Sequence, residues 1–434
     1  MAGEHAGARS SCRTRQTGQW SGVCVSRQQG GRMAPRYDVV CFSHLRWDYV
    51  YQRPQHLLCR WARGHRVFYV EEPDYAGDEP RFVIREPAPG VHVVSSHLPE
   101  SVLEAGPAAW EALQRQLLDR LFAEQGIGSQ VLWYYTPVAL GYSDHLRPLA
   151  TVYDCMDELA AFRGAPARLA RYERELFARA DVVFTGGRSL YDAKRQQHPR
   201  VYCFPSSVDL EHFARARAAM DEPADQRALV RPKLGFFGVI DERMDLELLD
   251  EVARRRPCWQ LVLVGPVAKI DSASLPRRDN LHYLGQKPYD TLPSYLAAWD
   301  VALMPFARNA ATRFISPTKT LEYLAAGKAV VSTAIPDVVQ PYGALGLVRI
   351  ADSVEAFVTA VEAALTEPAE VRLAAIDAML AGTSWDRTWT GMAELVNEIV
   401  VERAGRPSLL PLAGDGQRSG RENGPRGSSE ARGR

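Results

Sequence analysis

The chain has 434 residues, 46% of them hydrophobic, which is enough to bury two sizeable cores. Its 52 basic and 52 acidic residues balance, which excludes a nucleic-acid binder built on net positive charge. The seven cysteines form no C-x-x-C pair and no Cys/His ligand spacing, which points to a reducing, cytoplasmic setting without a metal site, and no run of about 18 apolar residues is present to span a membrane.

Residues 1–35 are rich in Ser, Arg, Gln and Gly, lack an apolar period and read as a disordered extension without a secretory h-region. Met33, just ahead of Ala-Pro-Arg-Tyr and the first strand, reads as an alternative start. A first α/β series is expected over 36–205. Its first strand, Asp38–His44, runs into a loop holding His44, Arg46, Trp47, Asp48, Tyr51 and Arg53. Loops at the carboxyl ends of strands carry binding groups in open α/β sheets, so His44, Asp48 and Arg53 are acceptor-side candidates; the other reading is a surface loop packed on its own aromatics. Pro54 suits the start of a helix that buries Leu57, Leu58 and Trp61. Strands follow at His65–Val70, Phe82–Ile84, Val91–Val94, Gln130–Tyr135 and Ala150–Asp154, with a helix over about Ala108–Glu124. Asp154 ends the fifth of these and Asp157 follows it, where a cleft carboxylate would sit, although Asp157 also suits the cap of a helix from about Pro166 to Arg179. Strands Ala180–Thr185 and Val201–Phe204 close the series. Alternation of this kind means a parallel sheet wound on both faces.

Residues 206–232 are polar, alanine-rich and aperiodic, and read as an interdomain linker. A second series over 233–384 begins with the strand Leu234–Val239 and the turn Gly238-Val239-Ile240-Asp241-Glu242-Arg243. It continues through a helix from Asp245, strands ending at Gly265 and Gly285, a helix near Tyr289–Ala298, and the strand Val301–Phe306. A strand at Gly346–Ile350 and a helix over 353–366 follow, then a last helix over 385–402 and a Gly/Ser/Arg-rich tail at 403–434 that reads as disordered.

The most informative stretch lies inside that second series. Residues 316–333 read S-P-T-K-T-L-E-Y-L-A-A-G-K-A-V-V-S-T. Ser316 is a good N-cap, Pro317 suits the first helical position, Leu321, Leu324 and Ala325 share a face, and Gly327 sits where a helix closes in the left-handed conformation. A β-branched strand follows. The unit delivers a helix N-terminus to the carboxyl edge of a parallel sheet, where bare N–H groups and the dipole favour phosphate. Lys319 in the first turn adds a charge that is unfavourable there unless an anion is present. Glu322, one turn on, can accept hydrogen bonds from ribose hydroxyls.

With Tyr283-Leu284-Gly285, Leu296-Ala297-Ala298-Trp299-Asp300-Val301-Ala302 and Pro205-Ser206-Ser207-Val208-Asp209, this stretch resembles the GT-B glycosyltransferases, in particular the bacterial group resembling family 4 of the retaining enzymes. Phe42–Asp48 with Gln52–Leu57 resembles transferases of exopolysaccharide or teichuronic-acid type. The resemblance covers about 36–401. It implies two Rossmann-like, doubly wound parallel-sheet domains facing across a cleft, with the last helix crossing back to the first. It further implies a retaining, metal-independent transfer of a hexose-type sugar from a UDP- or GDP-linked donor to a saccharide or lipid-linked acceptor in cell-surface polysaccharide or glycoconjugate synthesis. No cofactor beyond the nucleotide sugar, no metal and no nucleic acid is expected. The setting is cytoplasmic, with peripheral attachment at the inner face of the plasma membrane as a conjecture.

Carried over residue by residue, the donor set is Ser316, Pro317, Thr318, Lys319, Glu322, Gly238, Arg243 and Gly265, and the catalytic candidates are Lys319, Arg243, Asp154 and Asp157. The family pattern has two glutamates separated by seven residues; the second aligns with Glu322, whereas Phe314 stands where the first would fall. That substitution favours one rival, a catalytically silent nucleotide-binding partner of a polysaccharide assembly complex. The other rival is an NDP-sugar epimerase of the same fold, which would turn over without an acceptor.

Overall fold

The computed structural model describes residues 36–77 and 79–404. The extension 1–35 with Met33, and the tail beyond Ala404, lie outside the described residues.

Among the described residues, fifteen strands form two sheets. The first contains β1 (Asp38–Phe42), β2 (Val67–Val70), β3 (Asp74–Tyr75), β4 (Arg81–Ala88), β5 (Val91–Leu98), β6 (Gln130–Tyr134), β7 (Ala150–Cys155), β8 (Val182–Thr185) and β9 (Val201–Cys203). Its order is β3-β5-β2-β1-β6-β7-β8-β9, with β4 paired to β5. All these pairs are parallel except β4–β5, an antiparallel hairpin longer than the two weak strands expected there. The second sheet contains β10 (Lys233–Phe237), β11 (Gln260–Val264), β12 (Leu281–Tyr283), β13 (Val301–Met304), β14 (Ala329–Ser332) and β15 (Arg349–Ile350), ordered β12-β11-β10-β13-β14-β15 and parallel throughout.

That second order is the Rossmann arrangement, in which the strand sequence reverses between β10 and β13. The register Leu234↔Val301 and Gly235↔Ala302 sets the two strands side by side. The chain segments leaving their carboxyl ends, Gly238–Arg243 and 305–319, therefore flank one crevice. In the first sheet the reversal falls between β1 and β6, so the segment after β1 that holds His44 occupies the matching position. These are the places where an open α/β sheet binds ligands.

Burial follows the apolar runs. All five residues of β1 and of β10 are buried. The second domain packs one core around Phe236, Leu263, Leu303 and Tyr323. The first sheet buries a cluster on each face. Trp385, Met392, Val396, Ile399 and Val400 of the last helix (Trp385–Ala404) belong to one of these, and the Tyr37 hydroxyl donates to Asn397 Oδ1 at 2.8 Å. The last helix thus returns to the first domain.

The stretch 206–232, expected as a plain linker, is packed against the second domain. Phe213 and Ala216 join its core, and Gln226, fully buried, donates to the Tyr295 carbonyl and accepts from the Trp299 indole. Its aperiodic sequence hid this because the contacts are made by isolated side chains on short helices at 210–214 and 224–227. A further helix, Ala369–Leu380, carries no clear apolar period and has no counterpart in the sequence reading. Among the described residues no helix is long and apolar enough to cross a membrane.

Candidate active site

The stretch singled out in the sequence folds as β13, loop, helix Thr318–Ala325 and β14. The helix begins one residue later than Ser316 would dictate. Pro317 is the N-cap, with φ −66° and ψ 118°, and no side chain caps the first turn. Ser316 instead faces the first domain, where a Cβ on Gly187 would crowd its own Cβ. The C-terminal end follows the sequence reading: Gly327 has φ +72°, its N–H meets the Leu324 carbonyl at 2.8 Å and the Lys328 N–H meets the Tyr323 carbonyl at 3.0 Å, a Schellman closure. Tyr323, fully buried, fixes the helix to β10 by accepting the Phe237 N–H at 2.9 Å.

That anchoring lays Lys319 across Gly238. A Cβ at Gly238 would overlap the Lys319 Cε, and the backbone there has φ +142°, so only glycine fits. Gly265, carried over with the donor set, supports Gly238: its φ is +149° and a Cβ on it would overlap the Gly238 carbonyl oxygen. Lys319 forms no ion pair within 4.0 Å among the described residues. Burial lowers its pKa, with Glu322 opposing and Arg243 assisting. Glu322 is 9% exposed, and burial pushes its carboxyl up to about 7 against the pull of Lys319. Arg243 is gripped by Asp241, Nε to Oδ1 at 3.0 Å and Nη2 to Oδ2 at 2.6 Å.

Across the cleft, Asp157 lies within the electrostatic field of this group. It caps no helix, since the next long helix starts at Leu169. Burial raises its pKa to about 6, Arg243 and Lys319 pull it down, and Asp241 pushes it up. A first-domain carboxylate and two second-domain cations therefore share one field. His44, at the end of β1, is held neutral: burial and then Lys269 lower its pKa to about 4, and its buried Nδ1 has no hydrogen-bond partner.

Three sequence candidates fall elsewhere. Arg53 and Asp154 are 2% and 0% exposed and pair with each other, Nε to Oδ2 at 3.0 Å and Nη2 to Oδ1 at 2.8 Å. Both charges are taken up by each other inside the first domain. Asp48 is exposed and bonded to Arg85 at 2.8 Å, apart from the cluster. Phe314, at the position of the family's first glutamate, packs against a core cluster of the first domain, with the Arg313 guanidinium 5.1 Å from its ring centre. It serves the contact between domains. Asp241 and Tyr323, which orient Arg243 and the donor helix, escaped the sequence reading; Asp241, two residues from Arg243, offered a local signal.

The description "Glycosyl transferases group 1" matches residues 231–367, the domain that carries Gly238, Arg243, Lys319 and Glu322. A curated relative, the teichuronic acid biosynthesis glycosyltransferase TuaH of Bacillus subtilis (strain 168), is 27% identical over 241 residues, or 51% of this chain. The match spans 59% of that protein's length. Among solved structures, the sucrose-phosphate synthase of Thermosynechococcus elongatus superposes with TM-score 0.64 and 16% identity over 85% of this chain and 100% of its own. The E. coli trehalose-6-phosphate structure bound with UDP-2-fluoro glucose gives 0.61 and 13%, over 83% and 99%. The alpha,alpha-trehalose 6-phosphate synthase of Burkholderia multivorans gives 0.60 and 13%, over 85% and 99%. At these identities the structures establish the GT-B fold.

Proposed function

We propose that this chain, a group 1 glycosyltransferase by its second domain and GT-B by its fold, moves a hexose-type sugar from a nucleotide-diphosphate donor to a saccharide or lipid-linked acceptor. The observation that carries this reading is Lys319, seated over Gly238 at an uncapped helix N-terminus and without an ion-pair partner among the described residues. Two cations and a helix dipole converge there, and a leaving diphosphate is the anion that such a site stabilises without a metal. Glu322 takes the ribose hydroxyls. Asp157 holds the acceptor hydroxyl at the opposite wall, and His44, kept neutral, offers a second polar contact. Cell-surface polysaccharide or glycoconjugate synthesis as the setting is supported by the likeness to TuaH, and a retaining, metal-independent course by the family resemblance alone. A soluble, cytoplasmic-side enzyme with peripheral membrane attachment is consistent with lipid-linked acceptors.

The test is a panel of UDP-, GDP- and ADP-sugars with acceptor, scored for nucleoside diphosphate release and for the anomeric configuration of the product. Release only in the presence of acceptor supports transfer; interconversion of the donor without acceptor supports the epimerase. No release with any donor supports the silent partner, to which Phe314 lends its weight.

A pH dependence follows from Glu322. Its folded pKa of about 7 lies above the ordinary 4.5, so the free enzyme holds it protonated below neutrality. The ionised form accepts ribose hydroxyls, so donor kcat/KM rises as pH increases through about 7. Glu322→Gln removes that limb and lowers the plateau by roughly 10-fold or more, the scale of a lost charge-assisted hydrogen bond. The sign for stability is opposite: a raised carboxyl pKa destabilises the fold as pH climbs from about 4.5 to 7, and Glu322→Gln relieves that loss. A pH–rate profile in parallel with urea unfolding at pH 5 and pH 8 checks both.

A further inference from the structure

The segment 156–168 leaves β7 and leads to the helix Leu169–Arg179. Its root is fixed inside the first domain. Lys194, nearly buried, places Nζ 2.8 Å from Glu158 and 3.0 Å from Glu173, and the Tyr153 hydroxyl donates to Glu173 at 2.9 Å. Its tip crosses to the second domain. The Phe162 ring faces two cations, with the Arg243 guanidinium carbon 5.6 Å and the Lys269 Nζ 5.7 Å from its centre. The next residue, Arg163, donates its N–H to Glu242 Oε1 at 2.9 Å and sets Nε 3.4 Å from Oε2.

Both cations are prepared for this contact. Arg243 is held along one edge by Asp241, which leaves Nη1 without a protein partner among the described residues. Lys269 has φ +60°, the left-handed region, and is the non-glycine residue with positive φ among the described residues. Such a backbone persists where surroundings over-determine it, and it concentrates at ligand clamps. An aromatic face attracts cations through its quadrupole, more strongly where water is displaced. Leucine offers similar apolar contact without that quadrupole.

We infer that Phe162 is a positioning residue that docks segment 156–168 onto Arg243 and Lys269, setting the Arg243 guanidinium for the donor diphosphate and seating Asp157 on the same segment. The inference rests on the donor-site reading above. It makes donor binding and closure of the acceptor wall a single event, since an anion that draws Arg243 into place also fixes the platform on which Phe162 rests.

The experiment compares the full chain with Phe162→Leu and Phe162→Tyr by calorimetric titration with UDP, GDP and ADP, and by the rate of tryptic cleavage after Arg163. Phe162→Leu is expected to weaken the nucleotide that the unaltered chain binds by about tenfold, the scale of a partly desolvated cation–π contact, and to speed cleavage several-fold. Phe162→Tyr, which keeps the aromatic face, is expected to stay within about twofold on both readouts. Equal binding and cleavage in Phe162→Leu overturn the inference, as does an equal loss in both variants, which would make the contact one of shape. If the unaltered chain binds none of the three nucleotides, the donor-site reading fails, and this inference with it.

Discussion

Lys319→Ala lowers donor turnover by on the order of 10²–10³ in kcat while the protein still folds, because the side chain supplies charge at the departing diphosphate and little packing. The lysine is half-buried and lies against Gly238, with its Nζ 5.9 Å from the Phe236 ring centre. Lys319 is in no ion pair among the described residues, so truncation breaks no salt bridge; it removes the pull of Lys319 on Glu322, whose buried carboxyl then shifts further up. The matching change from the other side is Gly238→Ala. Its Cβ would overlap the Lys319 Cε, and φ +142° is unfavourable for alanine, so the lysine is displaced and turnover falls with it. Steady-state release of nucleoside diphosphate measures both variants, and thermal unfolding confirms that Lys319→Ala keeps its fold. Undiminished transfer by Lys319→Ala would remove the donor site from this helix.

The largest effect on stability belongs to Arg53 and Asp154. Arg53 also donates to the Phe204 carbonyl at 2.8 Å and lies 3.9 Å from the Met392 sulfur, so one guanidinium ties the start of a helix to β7, to the exit of β9 and to the last helix. Removing either partner leaves a buried charge without compensation. Arg53→Met and Asp154→Asn are each expected to cost about 3–5 kcal/mol, whereas the double variant recovers much of that loss. Urea unfolding of the four proteins closes the cycle. Single variants within about 1 kcal/mol of the unaltered chain would show that the pair is dispensable to the fold, and would reopen a catalytic role for Asp154.

These two predictions mark what the sequence could and could not convey. Lys319, Glu322 and Gly327 were legible because a helix start, its first-turn charge and its left-handed end are local signals carried by a few adjacent residues. The two parallel sheets were legible for the same reason, as apolar runs alternating with amphipathic ones. Arg53 and Asp154, by contrast, are 101 residues apart, and a charge within an aromatic-rich loop reads as a cleft group until its partner is known. Phe162 gave no signal at all, since its neighbours Arg243 and Lys269 come from the other domain. Phe314 was read as a missing carboxylate, and its packing against the first domain depended on the same crossing of the cleft. The packed stretch 206–232 was missed because single buried side chains such as Gln226 leave no period.

The most direct test of the donor site is calorimetric titration of the full chain and of Lys319→Ala with UDP, GDP and ADP. The account predicts that the unaltered chain binds at least one of them at a single site and that Lys319→Ala binds it at least about tenfold more weakly, as expected for loss of a charge-assisted phosphate contact. Failure of the unaltered chain to bind any of the three, or equal affinity in Lys319→Ala, would contradict it.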